Sequence, residues 1–257
     1  AINRDFLGYG GDLSKTQISD KLRRASCSFV RTQLKECVSD GLKNLGIRED
    51  SYNVKVHVTS VTTTDPDKIY IEYKSVFNDV INDYVKPTVI IEAGARSISD
   101  PFVELKINSF IDEAFPSSLF KERDFTVRTA PAERTFLEKA FLLHEEFHKK
   151  EIPIRTERMS RHLYDLEKMM DTEIEKVIHD NGTYNSIIAH RKTFIGLKGL
   201  DYTSLNHDSI NFIPPDTIIS AWEDDYRKMQ ENMIYGDSLP FSDLIERIKE
   251  LNQRFRN

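Results

Sequence analysis

The sequence has few cysteines and no long apolar run, and each absence excludes a class of protein. Its 257 residues include two cysteines, Cys27 and Cys37, within one predicted helix. The ten residues from one to the other span about 15 Å of helix, whereas bridged Cα atoms lie about 4.4–6.8 Å apart, so a disulfide is excluded. Unbridged cysteines are typical of the reducing cytoplasm, and no stretch approaches the ~18 apolar residues of a membrane span. We therefore expect a cytoplasmic protein that does not use a membrane.

The chain also lacks the excess of positive charge that marks many nucleic-acid-binding proteins. Lysine and arginine total 36 against 42 aspartates and glutamates, for a formal net charge of -6. Contact with nucleic acid would therefore depend on a local basic patch. Apolar residues make up 39% of the sequence, which is enough for a core, and the length suits one large domain or two modest ones.

The N-terminal half is predicted to be a helix followed by strands. Ser14 or Thr16 can cap a helix that runs to about Leu45, and a glycine directly after it supplies the stop. The hydrophobic period then changes to two, which is typical of strands. Asp65-Pro66-Asp67 predicts a turn between the first two strands, which would form a hairpin. Strands are predicted at 54–58, 69–73, 88–93, 103–111 and 125–128.

The C-terminal half changes character after Pro131, because helical periodicity replaces alternation. Helices are predicted at 133–150, 158–180, 183–195, 216–234 and 241–255. The predicted fold class is therefore α/β (α+β), with a sheet domain at 1–130 followed by a helical domain at 131–257.

Two charged residues interrupt the apolar patterns of successive predicted helices. Lys139 lies within Phe136–Leu142, and Asp165 lies within Leu163–Leu166. A charge inside an apolar pattern is costly unless it is paired with an opposite charge or takes part in binding or catalysis. The two residues therefore predict either a buried salt bridge or a polar cleft that handles phosphate.

Three further basic or titratable residues lie on the turns before Asp165. Arg158, Arg161 and His162 are of the types that bind nucleotide phosphates, because guanidinium groups grip phosphate oxygens in a bidentate manner. A solvated helix face would show the same pattern, so both interpretations stay open.

Glu92 is the candidate metal ligand. Nucleotidyl transfer needs divalent cations, such as Mg²⁺, held by about three carboxylates. Glu92 follows the apolar run Val89–Ile91 on a strand that we expect to be buried. A carboxylate is rarely buried unless it is paired or binds a ligand. The alternative is a glutamate at the end of the strand that faces solvent.

His144-Glu-Glu-Phe-His148 matches the signature of zinc proteases, which places two imidazoles one helical turn apart beside a glutamate. The alternative is an exposed helix end, at which the charged residues of 145–150 form a solvated run. We favour the exposed end, because the preceding strand, Phe125–Arg128, is a poor candidate for the edge strand that holds a peptide substrate in such enzymes.

Three segments of the chain closely resemble the AbiEii/AbiGii family of nucleotidyltransferase-like toxins. They are Ala132–His144, Ser160–Leu166 and Asp225–Gly236, and weaker similarities extend the resemblance over essentially the whole chain. The resemblance implies a nucleotidyltransferase fold and Mg²⁺-dependent transfer of a nucleotide from a nucleoside triphosphate. It also implies an RNA acceptor, which we expect to be tRNA, and a cognate antitoxin as partner.

The same resemblance assigns residues. The family's lysine and aspartate motifs match Lys139 and Asp165, which implies catalytic roles for both, and Glu92 matches the strand that carries the third carboxylate. Members of the family often have histidines near the end of the lysine-bearing helix, which further disfavours zinc.

One departure from the family concerns its first motif, a Gly-Gly or Gly-Ser turn followed by a strand with Asp-x-Asp. In relatives this motif directly precedes the segment that matches Ala1–Arg4, and the 257 residues do not contain it. We interpret this as truncation after the metal-binding aspartates and expect the chain to be inactive on its own. The alternative functions are a non-catalytic module that binds an antitoxin or RNA, and a zinc peptidase.

Overall fold

The computed structural model describes residues 14–59, 67–75, 85–94, 101–116, 124–150 and 152–257, and a long helix comes first. Its parts are α1 (Lys15–Phe29), a π-helical turn (Val30–Leu34) and α2 (Lys35–Asn44). Ser14 begins it with a capping box, because its Oγ accepts from Gln17 N–H while the Gln17 side chain accepts from Ser14 N–H. Gly46 follows the helix at φ 74°, so the predicted cap and stop are confirmed.

The first sheet has three antiparallel strands in the order β1 (Tyr52–His57), β2 (Lys68–Tyr73) and β3 (Thr88–Glu92). The predicted hairpin pairing of the first two is confirmed, although Asp65 and Pro66 of its turn lie outside the described residues. The register gives the sheet an apolar face and a mixed face. The apolar face carries Val54, Val56, Ile69, Ile71, Val89 and Ile91, and the mixed face carries Lys55, His57, Lys68, Tyr70, Thr88, Ile90 and Glu92.

The third strand is more exposed than its apolar sequence predicts. Val89 is 52% exposed and Ile90 47%, so the expectation of a buried strand is wrong. The reason lies in the order of the sheet, because among the described residues β3 pairs only with β2 and forms an edge. An apolar run shows only that a strand can be buried. Whether the strand is buried depends on which other elements pack against it.

A partly buried ion pair ties the long helix to the first sheet. Asp67 is fully buried just before β2, and its Oδ2 accepts from Arg31 Nε of the helix at 2.5 Å. Its Oδ1 accepts from the backbone N–H of Thr59 at 3.0 Å. Burial alone would raise the pKa of Asp67, but the hydrogen bonds from Arg31 and Thr59 hold it below its ordinary value. The sequence predicted only a turn here, whereas the structure gives Asp67 an anchoring contact.

A second sheet pairs β4 (Val103–Ile107) with β5 (Phe125–Thr129) in antiparallel register. The predicted strand 103–111 is too long, because α3 (Phe110–Ala114) takes its last residues. Ser109 explains the change, since its Oγ accepts from Asp112 N–H and so caps a helix.

The C-terminal half is helical, as predicted. Its α-helices are α4 (Ala132–His148), α5 (Ser160–Met169), α6 (Asn181–Phe194), α7 (Ile219–Asn232) and α8 (Phe241–Phe255). The prediction of one helix over 158–180 is wrong, because α5 ends at Met169 and a 3₁₀ helix follows at Glu173–His179. Thr172 separates the two, since its hydroxyl accepts from Ile174 N–H and caps the second.

A large hydrophobic core cluster lies within this helical half, and α4 contributes five buried residues to it, Phe136, Leu137, Ala140, Phe141 and Leu143. Its largest members are fully buried aromatic and aliphatic residues, among them Phe136, Leu137, Phe141, Leu163, Tyr184, Trp222 and Phe255. The domain boundary at 130/131 stays a prediction. Among the described residues, no helix combines the length and apolar character needed to cross a membrane.

Candidate functional site

The two charges that interrupt the apolar patterns of α4 and α5 meet in the structure. Lys139 Nζ lies 2.7 Å from Asp165 Oδ2, and the two side chains are 21% and 38% exposed. The pair is therefore half-buried: it is held next to the core, yet a ligand can reach it from solvent. A salt bridge and a phosphate-handling pair share this geometry, so the catalytic roles stay predictions.

His162 lies beside this pair but is held uncharged. Its Nδ1 is buried and has no hydrogen-bond partner in the described part of the chain. Burial first, and then the nearby charges of Lys139, Arg161 and Arg155, lower the pKa of His162 to about 3. The predicted role in phosphate binding would therefore use a neutral ring at physiological pH. Arg161 is exposed on the same helix.

Arg158 lies just before α5 in an uncommon backbone conformation. Its φ is 57°, the one positive value for a non-glycine residue within the described ranges. Asp225 of α7 holds this turn: its Oδ1 accepts from Arg158 N–H at 2.5 Å, and its Oδ2 accepts from Ser160 N–H at 2.9 Å. Asp225 thus supplies a capping acceptor and a negative charge to the start of α5, both of which stabilise a helix N-terminus.

Arg158 also lines a cleft between the first sheet and the helices. The cleft has a volume of about 1080 Å³. Its sheet side includes residues of β2 and β3, and its other side includes the turn before α5 and one stripe of α7. The residues that line it are Tyr70, Val85, Lys86, Thr88, Ile90, Thr156, Glu157, Arg158, Ala221, Asp225, Lys228, Asn232 and Met233.

Glu92 lies at the end of β3, on the sheet face whose residues Thr88 and Ile90 line the cleft. Its side chain is 60% exposed and forms an ion pair with Lys68. Within the described ranges, no three His, Cys, Asp or Glu side chains are grouped so as to hold a metal ion. The described residues therefore do not fit a two-metal site, and the role of Glu92 as a ligand stays a prediction.

The zinc-protease signature is engaged in other contacts. His144 is fully buried, its Nδ1 accepts from Asn211 N–H at 2.9 Å, and its Nε2 lies 2.9 Å from Ser204 Oγ. Since a backbone N–H only donates, Nε2 carries the ring proton and donates to Ser204. Burial and the neighbouring His148 lower the pKa of His144 to about 4. His148 donates from Nδ1 to the carbonyl of His144 at 2.8 Å. Both nitrogens of His144 are therefore occupied, and no lone pair is left for zinc.

The charged end of α4 is nevertheless not the solvated run that we expected. Glu145 and Glu146 are each 3% exposed. Glu145 accepts from Arg191 Nε and Nη2 of α6 at 2.7 and 2.6 Å. Glu146 accepts from the backbone N–H and Nε of Arg155 at 2.5 and 2.9 Å and pairs with Lys149. The prediction is wrong because neighbouring elements pack over the end of α4, and buried carboxylates then need partners.

We expect the purified protein to carry no stoichiometric zinc, because the two ring nitrogens of His144 are already hydrogen-bonded. Elemental analysis after dialysis checks this. One zinc per chain that is lost in His148→Ala would restore the peptidase hypothesis.

Several contacts of this region were missed at the level of sequence. Asp225 lies on the apolar stripe that carries Trp222, Tyr226 and Met229 of α7. A charge within an apolar pattern singled out Lys139, and the same criterion could have found Asp225. Nothing in the local pattern marks Lys228 as lining a cleft.

Comparison with protein families identifies one match over most of the chain. Residues 12–249 match the family model described as nucleotidyl transferase AbiEii toxin, type IV TA system. The match extends over both the sheet-bearing and the helical half. No curated protein and no solved structure matches the chain.

Proposed function

Because the chain belongs to the AbiEii family of nucleotidyl transferase toxins, we propose that it transfers a nucleotide from a nucleoside triphosphate to an RNA acceptor. We take the acceptor to be tRNA and the site of action to be the cytoplasm. The family is a type IV toxin–antitoxin system, so we propose a cognate antitoxin as the partner that limits toxicity.

The observation that supports this function most directly is the half-buried pair of Lys139 and Asp165. In the proposed reaction, Lys139 binds the triphosphate as a point charge and stabilises the negative charge that develops on the leaving phosphates. Asp165 orients the lysine for this contact. Arg158 and Arg161 add guanidinium groups that can bind phosphate oxygens in a bidentate manner.

Mg²⁺ is proposed as the cofactor, with Glu92 among its ligands, because metal ions neutralise the charge of a transferring phosphoryl group. The described residues do not group the three side chains that would hold it, so no step is derived through the ion. We also propose that the 257 residues alone do not transfer nucleotide, because they do not contain the family's Asp-x-Asp motif.

The function is tested by labelling RNA with each of the four α-³²P nucleoside triphosphates. We expect the full-length gene product to label one RNA class in Mg²⁺ and not in EDTA. The 257-residue chain is expected to label RNA no more than its Lys139→Ala variant does.

Two other results would contradict parts of the proposal. Label transfer by the 257-residue chain above the Lys139→Ala level would refute its inactivity. RNA binding without label transfer by the full-length gene product, with all four nucleotides, would favour a non-catalytic binding module instead.

A further inference from the structure

The cleft between the sheet and the helices contains more basic residues than the predicted site includes. Arg158 and Lys228 line its helical side, and Lys86 lies just before β3 on the other. Positive charges on two walls of one cleft attract a compact polyanion. The acidic residues of the lining are Glu157, which is exposed, and Asp225, which is 6% exposed.

The carboxylate of Asp225 is already engaged in hydrogen bonds with the protein. Both of its oxygens accept hydrogen bonds from the turn before α5, one from Arg158 N–H and the other from Ser160 N–H and Oγ. Because N–H groups and a helix N-terminus offset its charge, Asp225 does not cancel the attraction of the neighbouring cations.

Those hydrogen bonds hold Arg158 in a conformation that it would otherwise avoid. A non-glycine residue in the left-handed region is disfavoured by contact of its Cβ with the backbone, so the conformation persists only where other contacts enforce it. Asp225 supplies such a contact through the N–H of Arg158 itself, at 2.5 Å. Arg158 also lines the cleft, so a change in its backbone conformation would move its guanidinium relative to the other lining residues.

We propose that Asp225 is a positioning residue, which holds Arg158 in the left-handed conformation so that its guanidinium binds the triphosphate of the nucleotide substrate together with Lys86 and Lys228. The proposal rests on the proposed function and adds the cleft as its phosphate site. The cleft lies between the strand that ends in Glu92 and the turn before the helix that carries Asp165, but Glu92, Lys139 and Asp165 are not among the residues that line it.

A double-mutant cycle on tripolyphosphate binding tests the positioning role. Inorganic tripolyphosphate is titrated into the 257-residue chain by calorimetry, as wild type, Arg158→Gly, Asp225→Asn and the double variant. Glycine accepts the positive φ without strain, so Arg158→Gly removes the guanidinium and leaves the turn intact. Each single change is expected to weaken binding about tenfold, the size of one charge-assisted hydrogen bond. The double variant is expected to bind no more weakly than Arg158→Gly, because Asp225 acts through Arg158.

Controls separate positioning from general loss of structure. Asp224→Asn changes the neighbouring aspartate, which is 67% exposed, and should leave affinity unchanged. Lys86→Ala and Lys228→Ala should each weaken binding. Thermal melting of every variant reports stability. If Asp225→Asn does not fold, Ser160→Ala replaces it in the cycle, since that change removes one hydrogen bond to Asp225 and should weaken binding only when Arg158 is present.

Four results would overturn the proposal. A folded Asp225→Asn variant with wild-type affinity would remove the positioning role, and so would a double variant whose loss is the product of the two single losses. Binding of a single-stranded octanucleotide RNA, but not of tripolyphosphate, would assign the cleft to an acceptor strand. Lys139→Ala in the same assay distinguishes failure of the positioning role from failure of phosphate binding as a whole. If Lys139→Ala weakens binding and Asp225→Asn does not, only the positioning role is refuted. If the wild type does not bind tripolyphosphate at all, the cleft is not a phosphate site and the proposal fails, whereas the RNA-labelling experiment decides the proposed function.

Discussion

Replacing Lys139 with alanine is expected to abolish the toxicity of the full-length gene product and to lower nucleotide transfer at least about 10²-fold. The loss of one preorganised group that stabilises developing charge has an effect of this order. The fold should persist, because both side chains of the pair keep some contact with solvent and alanine is the best helix former. Asp165→Ala is expected to have the same phenotype, because Asp165 orients the lysine.

The measurements are growth after induced expression, RNA labelling and thermal melting of each variant. Lys249→Ala is the matched control, because Lys249 also forms a helical ion pair, at 2.7 Å from Glu246, and is 47% exposed on α8. This control should remain toxic. A fully toxic Asp165→Ala variant would show that the pair is structural only.

Arg191→Met is expected to lower the free energy of unfolding by about 3–5 kcal/mol, because it leaves the carboxylate of Glu145 buried without its partner. Both side chains of this pair are almost fully buried, at 9% and 4% exposure, and two hydrogen bonds join them. For a chain of this length the melting temperature should fall on the order of 10 °C. Changing Glu145 to leucine in the same variant should recover part of the loss, because an apolar pair no longer leaves a charge unpaired.

Urea denaturation and calorimetry measure these differences. The matched control is Arg227→Met, which breaks an exposed pair with Glu231 on one face of α7, at 58% and 56% exposure. Its cost should not exceed about 1 kcal/mol. Equal losses in Arg191→Met and Arg227→Met would contradict the importance of burial for the first pair.

Local patterns predicted the elements whose ends depend on nearby residues. Ser14 and Gln17 form a capping box, and Gly46 follows the end of the long helix as the sequence indicated. The last helix, Phe241–Phe255, has the predicted bounds, because its apolar stripe and the proline before it act within a few residues. The predicted strand 103–111 is shorter in the structure because Ser109 caps a helix there, which the alternating pattern of the strand did not reveal.

The candidate site was predicted only in part, and the residues show why. Lys139 and Asp165 could be named because each interrupts an apolar pattern, which is a property of its own helix. The pattern could not reveal that Asp225 holds the turn at Arg158, because 67 residues separate the two. Periodicity reports which face of an element is apolar and says nothing about the element that covers it.

The sequence by itself determined the helix-rich C-terminal half, the antiparallel hairpin, the unbridged cysteines and the two charges that form a half-buried pair. The tertiary structure alone decided that β3 is an exposed edge, that Glu145 and Arg191 form a buried pair, and that a cleft lies between the first sheet and α7. The physical reason is the range of the interactions: caps, turns and periodic faces act between residues close in the chain, whereas burial and charge pairing depend on which distant elements pack together.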